Sequence, residues 1–283
     1  MKKKSSLKHT GAFWAFCAPC CILFGVFFLV PLVLSIAFSF TNYDGWKTID
    51  FVGLTNYITL FKDSKFYLSL GRTLLYTVCT LPFRVIIPLL VAVLLCSKRV
   101  AGKSLTRTMV YIPVLMSALV VGITINWMFS QEYGLINFII QSFGGTPLEW
   151  SLNSGLATFV IGFASVWASI GFNMIIYVGG INNISPDLYE AASIDGANSF
   201  QSFLRITVPM LSPTTFLVVL LSTVNLLKEY ALVQGITQGG PGLSTTYIIQ
   251  YIFDKGFNQM EYGYASAIST VVMIVFALIA YAQ

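Results

Sequence analysis

The chain has 283 residues, of which 56% are hydrophobic and only 10% charged, and its mean hydropathy is +0.79. That balance excludes an ordinary soluble domain and places the chain in a lipid bilayer. The formal net charge of +5 does not point to nucleic acid, because the basic residues gather at the ends of apolar runs rather than along one face.

The chain opens MKKKSSLKHTGAFWAFCAPCCILFGVFFLVPLVLSIAF. The basic front is that of a signal peptide, but the apolar run is too long for an h-region and no small-residue cleavage site follows. We expect a retained first helix over 13–40. Further apolar runs occupy 74–96, 108–129, 157–179, 216–233 and 264–282. Each is close to the roughly 20 residues that a hydrocarbon core about 30 Å thick demands of a helix. The runs are too long and too unalternating for barrel strands, and open sheet edges cannot face lipid. The expected fold class is an all-α integral membrane protein with six transmembrane helices. No internal repeat, low-complexity tract or flexible linker interrupts it, so 1–283 reads as a single transmembrane domain, with a first helix at 12–40 and a core at 70–283.

Lys2, Lys3, Lys4 and Lys8 precede the first helix, and Lys98, Arg99, Lys103 and Arg107 lie between the second and third. Basic residues in short loops mark the cytoplasmic side, so the N-terminus and a loop at 181–210 are expected inside. Residues 41–73, 131–155 and 234–262 are expected outside. The first of these is amphipathic, with Phe61, Phe66 and Leu68 between Lys62, Asp63 and Lys65, which suits an interfacial helix or a packed external loop. The last helix ends ALIAYAQ without a basic anchor. Either the natural chain runs further or packing alone holds this helix.

The cysteines (Cys17, Cys20, Cys21, Cys79, Cys96) sit in or beside apolar runs and read as small hydrophobes. Cys17 and Cys20 have redox-motif spacing without the accompanying His or βαβ pattern. His9 is the only histidine and precedes the membrane, which removes His-based dyads and most metal sites. There is no Walker A pattern, so ATP hydrolysis is not expected in this chain.

The cytoplasmic loop contains the run LYEAASIDGANSFQSFLRITVPMLSP. Ser185 can cap a helix whose first position is Pro186, with Asp187 and Glu190 set against the helix dipole. Gly196 is a natural stop. Asn198 or Ser199 can cap a second helix, FQSFLRIT, which Pro209 is expected to end. Ala191, Ala192 and Ala197 leave a low-relief surface that another protein could approach closely, or that lets the loop pack under its own bundle.

The run EAASIDGANSFQSFLRITVP resembles the EAA motif in the membrane subunits of binding-protein-dependent ABC importers: Glu190, Ala191, Ala192, Gly196, Ile206 and Pro209 hold the motif positions. FVGLTNYITLF, NNISPDLYEAASIDGA and ITQGGPGLSTTYIIQYIFDKGF resemble the carbohydrate branch, in particular the larger maltose or the first glycerol-phosphate permease subunit. The very large second external loop of the maltose protein is absent here. The resemblance covers nearly the whole chain and implies a type I ABC importer permease fold in a prokaryotic inner or plasma membrane. It further implies a second, homologous permease subunit, two ATP-binding cassette subunits that hold ATP and Mg, and an extracytoplasmic solute-binding protein. On this reading the chain is no enzyme. It moves a sugar by alternating access, and 181–210 is a coupling loop whose contacts are Tyr189, Glu190, Ala191, Ala192, Asp195, Gly196, Ala197, Phe203, Ile206 and Pro209.

Polar residues inside spans are costly in lipid and mark functional positions. In the fifth helix Ser222, Asn225 and Glu229 are spaced i, i+3 and i+7 on one face, with Lys228 and Tyr230 beside them. In the fourth, Trp167, Phe172 and Asn173 offer aromatic faces and an amide, which suits a sugar ring and its hydroxyls. Taken singly, either aromatic is more commonly employed in ordinary helix packing, and Lys228 could pair with Glu229 or snorkel to the interface. The resemblance puts the sugar between these two helices, as a location only. Arg84, between Pro82 and Pro88, could anchor an acidic sugar, but pairing with Glu229 or with freed carbonyls is the expected role. Competing readings are an importer of glycerol phosphate or an acidic sugar, and an ion-driven secondary transporter, which calls for inverted repeats and coupling-ion sites. A membrane enzyme built on SIDGAN would need a carboxylate to pair with Asp195.

Overall fold

The computed structural model describes residues 6–46, 49–97 and 102–283. Lys2, Lys3, Lys4, Lys98 and Arg99 lie outside these, as do the side chains of Lys8 and His9. Among the described residues the regular structure is helical, apart from one isolated bridge between Thr41 and Phe51.

Helix α1 (Ser6–Phe24) continues through a π turn (Gly25–Leu29) into α2 (Val30–Phe38), and α3 (Thr55–Leu60) follows. Next come α4 (Ser64–Cys96), α5 (Lys103–Leu115), α6 (Ala118–Met128), α7 (Leu135–Ser142) and α8 (Ser154–Asn182). The loop region holds α9 (Pro186–Ile194), α10 (Ser199–Ser202), a π turn (Phe203–Thr207) and α11 (Val208–Met210). The chain closes with α12 (Ser212–Leu227), α13 (Ala231–Ile236), α14 (Ile248–Phe253), a third π turn (Asp254–Asn258) and α15 (Tyr262–Ala282).

Among the described residues four helices are long and apolar enough to cross a membrane: Phe13–Phe38, α4, α8 and α15. The other two expected spans are bent pairs, α5 with α6 at 99° and Ser199–Met210 with Ser212–Leu227 at 67°; counting each pair once gives six. The run 108–129 is therefore not one helix. Met116 and Ser117 are extended, with ψ of 146° and 134°, just after Pro113, whose missing N–H leaves the Met109 carbonyl without its helical donor. The run 216–233 also divides, since α12 stops at Leu227 and α13 starts at Ala231. The second span begins at Ser64 rather than near 74; Lys65 and Arg72 have stems long enough to carry their charges to a headgroup layer.

The chain sorts into two compact units, Met1–Ser64 with Ile252–Ala277, and Lys65–Tyr251 with Leu278–Gln283. In the first, the span Phe13–Phe38 is apolar all round and none of it is buried, as lipid permits and water does not. Beyond it the chain folds into a packed loop. The Asp50 N–H donates to Asn42 Oδ1 at 2.9 Å, the Asn42 amide returns a bond to Asp50 Oδ2 at 3.1 Å, and the Asn56 amide donates to the carbonyls of Ser39 and Thr41. Tyr264 of α15 donates to Asp63 Oδ2 at 2.7 Å. The amphipathic segment is mostly helical rather than a loop: α3 covers Thr55–Leu60 and α4 starts at Ser64, so Lys65, Phe66 and Leu68 lie in its first turns and only residues 61–63 turn between the two.

The second unit has two apolar clusters. One gathers Tyr76, Ile125, Ile161, Ala164, Leu226 and Val233. The other gathers Ala92, Met174, Tyr177, Leu211 and Val218. Helices α6 and α13 cross closely because both carry glycine at the contact: a Cβ on Gly122 would fall 2.7 Å from the Leu232 carbonyl, and one on Gly235 2.7 Å from that of Leu119. Small residues that let backbones approach are how membrane helices bind without a hydrophobic drive. Between the clusters lies a polar layer. On α4 Arg84 falls between Tyr76 and Ala92, on α12 Ser222 between Leu226 and Val218, and on α8 Ser165 and Asn173 between Ala164 and Met174.

Candidate functional site

The polar layer begins with a proline. Pro88 lies four residues beyond Arg84 in α4 and has no N–H, so the Arg84 carbonyl loses its helical partner. The helix nevertheless runs on unbroken to Cys96. Asn173 Nδ2, reaching from α8, donates to that carbonyl at 2.9 Å and also to Ser222 Oγ of α12 at 3.1 Å. One buried amide thus ties α4, α8 and α12, in the way neighbouring helices re-satisfy backbone freed by proline in a membrane. The Arg84 guanidinium donates through Nη2 to Ser165 Oγ at 2.7 Å and lies 3.7 Å from Glu229 Oε2. Arg84 is buried, and its Nε has no hydrogen-bond partner. The expected pairing of Arg84 with Glu229 is present, whereas the carbonyl freed by Pro88 is bonded by Asn173 and not by the arginine.

Beside this frame opens a cavity of about 450 Å³ lined by Arg84, Ser169, Phe172, Asn173, Ser222, Asn225, Lys228, Glu229 and Tyr230, with Ala168 and Ala231. Its size falls within the range of small-molecule sites. The expected residues meet here with two departures. Glu229 lies past the end of α12, so the i, i+7 face does not extend to it; it reaches the cavity because residues 228–230 turn out of the helix. Trp167 does not line this cavity. It stands half-exposed on another side of α8. Ser165 and Ser169 escaped notice, although with Asn173 they form a polar row at intervals of four along α8, one face of a helix. With the Arg84 guanidinium engaged by Ser165 and Glu229, the site offers ammonium and amide donors, hydroxyl acceptors, and aromatic faces from Phe172 and Tyr230. These suit reversible binding of a polyol rather than bond cleavage.

The loop 181–210 is built by its caps. The Asp187 N–H donates to Ser185 Oγ at 3.3 Å, with Pro186 in the first turn of α9. Asn198 and Gln201 cap reciprocally, each side chain accepting from the other's N–H at 2.9 Å. Gly196 lies between them at φ +80°, and a Cβ there would touch nothing, so the demand is on backbone conformation alone. Pro209 does not end the second helix. It sits in α11 after the π turn, whose shifted register, with the Val208 N–H on the Phe203 carbonyl, absorbs the missing donor. The chain breaks instead at Leu211.

Tyr189 and Ile206 pack inward against the second apolar cluster, and Tyr189 Oη and Thr207 Oγ1 share a hydrogen bond at 3.0 Å. Ala192, Ala197 and Phe203 are half-buried. Glu190, Ala191, Asp195, Gly196 and Pro209 are exposed. So are Ile194, at 86%, and Phe200, at 68%; these large apolar side chains flank the glycine elbow and were not singled out from the sequence, though apolar residues in a polar turn are a usable signal.

Residues 51–283 match the family described as the inner membrane component of binding-protein-dependent transport systems. The chain belongs to this family. Among its relatives in the family, the arabinooligosaccharides transport system permease protein of Bacillus subtilis (strain 168) is 34% identical over 271 residues, covering 94% of this chain and 85% of that protein. The lactose transport system permease protein of Rhizobium radiobacter is 31% identical over 275 residues, covering 95% and 92%. The trehalose/maltose transport system permease protein of Thermococcus litoralis is 34% identical over 224 residues, covering 79% and 75%. Among solved structures, a bacterial ABC transporter involved in the import of the acidic polysaccharide alginate aligns with a TM-score of 0.84 at 23% identity, covering 98% of this chain and 94% of that one. A bacterial alginate ABC transporter in complex with an alginate pentasaccharide-bound periplasmic protein gives 0.84 at 22%, covering 99% and 95%. At such identities the likeness is one of fold, and the fold is that of an ABC transporter's membrane subunit. This family member is thus a multi-pass membrane component of a transport system and not an enzyme.

Proposed function

We propose that the chain is one of two membrane subunits of an ATP-driven importer that carries a sugar or short oligosaccharide into a prokaryotic cell. The observation that carries this reading is the cavity in the polar layer, with hydrogen-bonding groups and aromatic faces at mid-depth of the bundle. Relatives named for arabinooligosaccharides, lactose and trehalose/maltose support the carbohydrate class. Arg84 is held by Glu229 and Ser165 rather than offered to a ligand, which suits a neutral sugar, and Lys228 is the cation on the wall that an acidic sugar would meet.

Asn173 and Ser222 are buried frame, while Phe172 and Asn225 present exposed surface to the cavity. The sister subunit supplies the facing wall, and an extracytoplasmic binding protein delivers the sugar. ATP and Mg belong to two cassette subunits, which engage the loop around Gly196. Their closure on ATP pushes the loops of both membrane subunits together and opens the cavity outward. The N-terminus and this loop share the cytoplasmic side, a placement supported by the basic residues at 2–8 and 98–107.

Thermal unfolding of the cognate binding protein against a panel of solutes tests the substrate class, since a ligand that binds only the folded state raises the melting temperature. A rise with pentose or hexose oligosaccharides is expected. A rise only with amino acids or organic phosphates overturns it.

A further inference from the structure

A second cavity in the same unit, about 720 Å³, runs between α4 and α8 and shares no lining residue with the sugar cavity. Its lining is graded. At one end stand Arg72, Ser154, Ser244 and Tyr247; at the other, Phe83, Ile87, Phe163 and Val166. From Arg72 to Ile87 the groove follows α4 for about 22 Å, at 1.5 Å per residue. That is about half of the 40–45 Å spanned by a bilayer with its headgroups. Phe83 and Phe159 are each 58% exposed, so the groove opens sideways toward whatever surrounds the bundle.

The polar end carries unmet bonding capacity. Tyr247 stacks on Tyr76 with ring centroids 4.7 Å apart and is 2% exposed, yet its hydroxyl has no hydrogen-bond partner; the Ser244 hydroxyl beside it is equally buried and equally unpartnered. Arg72 is fixed at the mouth by donating Nη1 to the Leu243 carbonyl, which leaves other guanidinium donors over. At headgroup depth, acceptor oxygens for these groups come from lipid esters and phosphates.

We propose that this groove holds one anionic phospholipid, with its phosphate on Arg72 and the Ser244 and Tyr247 hydroxyls and one acyl chain lying between α4 and α8. The charge, the length and the gradient from polar to apolar each match that occupant. The site lies outside the transport route and would make the subunit sensitive to membrane composition.

The test is native mass spectrometry of the full complex in mild detergent after exchange against phosphatidylglycerol or phosphatidylcholine, for the wild type, Arg72→Gln and Cys79→Trp. Cys79 is an exposed free cysteine in the groove wall, and the tryptophan fills the channel. Retention of one phosphatidylglycerol, preferred over phosphatidylcholine, is expected in the wild type. Arg72→Gln should weaken that preference roughly tenfold, as loss of a charge-assisted bond implies, and Cys79→Trp should abolish retention. A variant that does not assemble is replaced by a chain keeping Cys79 as its only cysteine, linked within the complex to a thiol-reactive phosphatidylglycerol. No retained lipid, equal retention in intact variants, or linkage of Cys79 to a neighbouring subunit in place of lipid would overturn the proposal.

Discussion

Asn173 of α8 gives its amide proton to the Arg84 carbonyl of α4 at 2.9 Å, the one acceptor in that turn that Pro88 deprives of a helical donor. The proline and the asparagine are therefore one device, and their substitutions should not add. Asn173→Leu should lower the stability of the purified complex by on the order of 1–2 kcal/mol. Pro88→Ala restores the missing N–H, so in the Asn173→Leu background it should return part of that loss, read as a higher melting temperature in a double-mutant cycle. Strict additivity would show that the amide acts through Ser222 alone.

Arg84 and Glu229 have side chains only 8% and 13% exposed. Removing one partner strands the other charge in a poor solvent, so Glu229→Gln should cost roughly 3 kcal/mol. Replacing both with apolar groups, Arg84→Met with Glu229→Leu, should lie closer to wild type in thermal unfolding. A double variant worse than either single one would mean that the bond to Ser165, rather than the ion pair, holds the layer.

How far the residues alone led differs between the loop and the cavity. The caps at Ser185 and Asn198 and the elbow at Gly196 were legible because each is decided within a few residues by side-chain reach and backbone freedom. The frame around Arg84 was legible as a short list of partners, since few groups in lipid can satisfy a guanidinium. The breaks at Met116 and after Leu227 were not, although Pro113 precedes the first and Lys228 and Glu229 stand at the second, because the hydropathy of a run reports average composition and not dihedral angles. Trp167 was grouped with Phe172 by nearness in sequence, yet five residues on a helix turn the side chain by about 140°. The row Ser165, Ser169, Asn173 was there to be found by the same arithmetic.

The elbow gives a sharp prediction because nothing crowds it. At φ +80° with open space around the absent Cβ, a β-branched residue meets backbone strain alone, on the order of 1–2 kcal/mol. Gly196→Val should leave the spans intact while uncoupling ATP hydrolysis from uptake, whereas Gly196→Asn, which tolerates this conformation better, should retain most of the coupling. Equal loss in both would place the requirement on size rather than backbone.

Phe172 and Asn225 line the cavity but lie outside its buried frame. Phe172→Ala and Asn225→Ala should each raise the KM for uptake about tenfold while the yield of assembled complex is unchanged, the loss of one stacking face or one hydrogen bond. Loss of the complex in either variant would make that residue structural.

The central claim is that this membrane subunit converts ATP hydrolysis on other chains into sugar movement. Proteoliposomes holding the full complex, with ATP supplied on the side of the 181–210 loop and sugar-loaded binding protein on the other, test it most directly by uptake of labelled sugar. Accumulation should need both ATP and the binding protein and should fail in Gly196→Val. Uptake by this chain alone, driven by an ion gradient and indifferent to ATP, would contradict it.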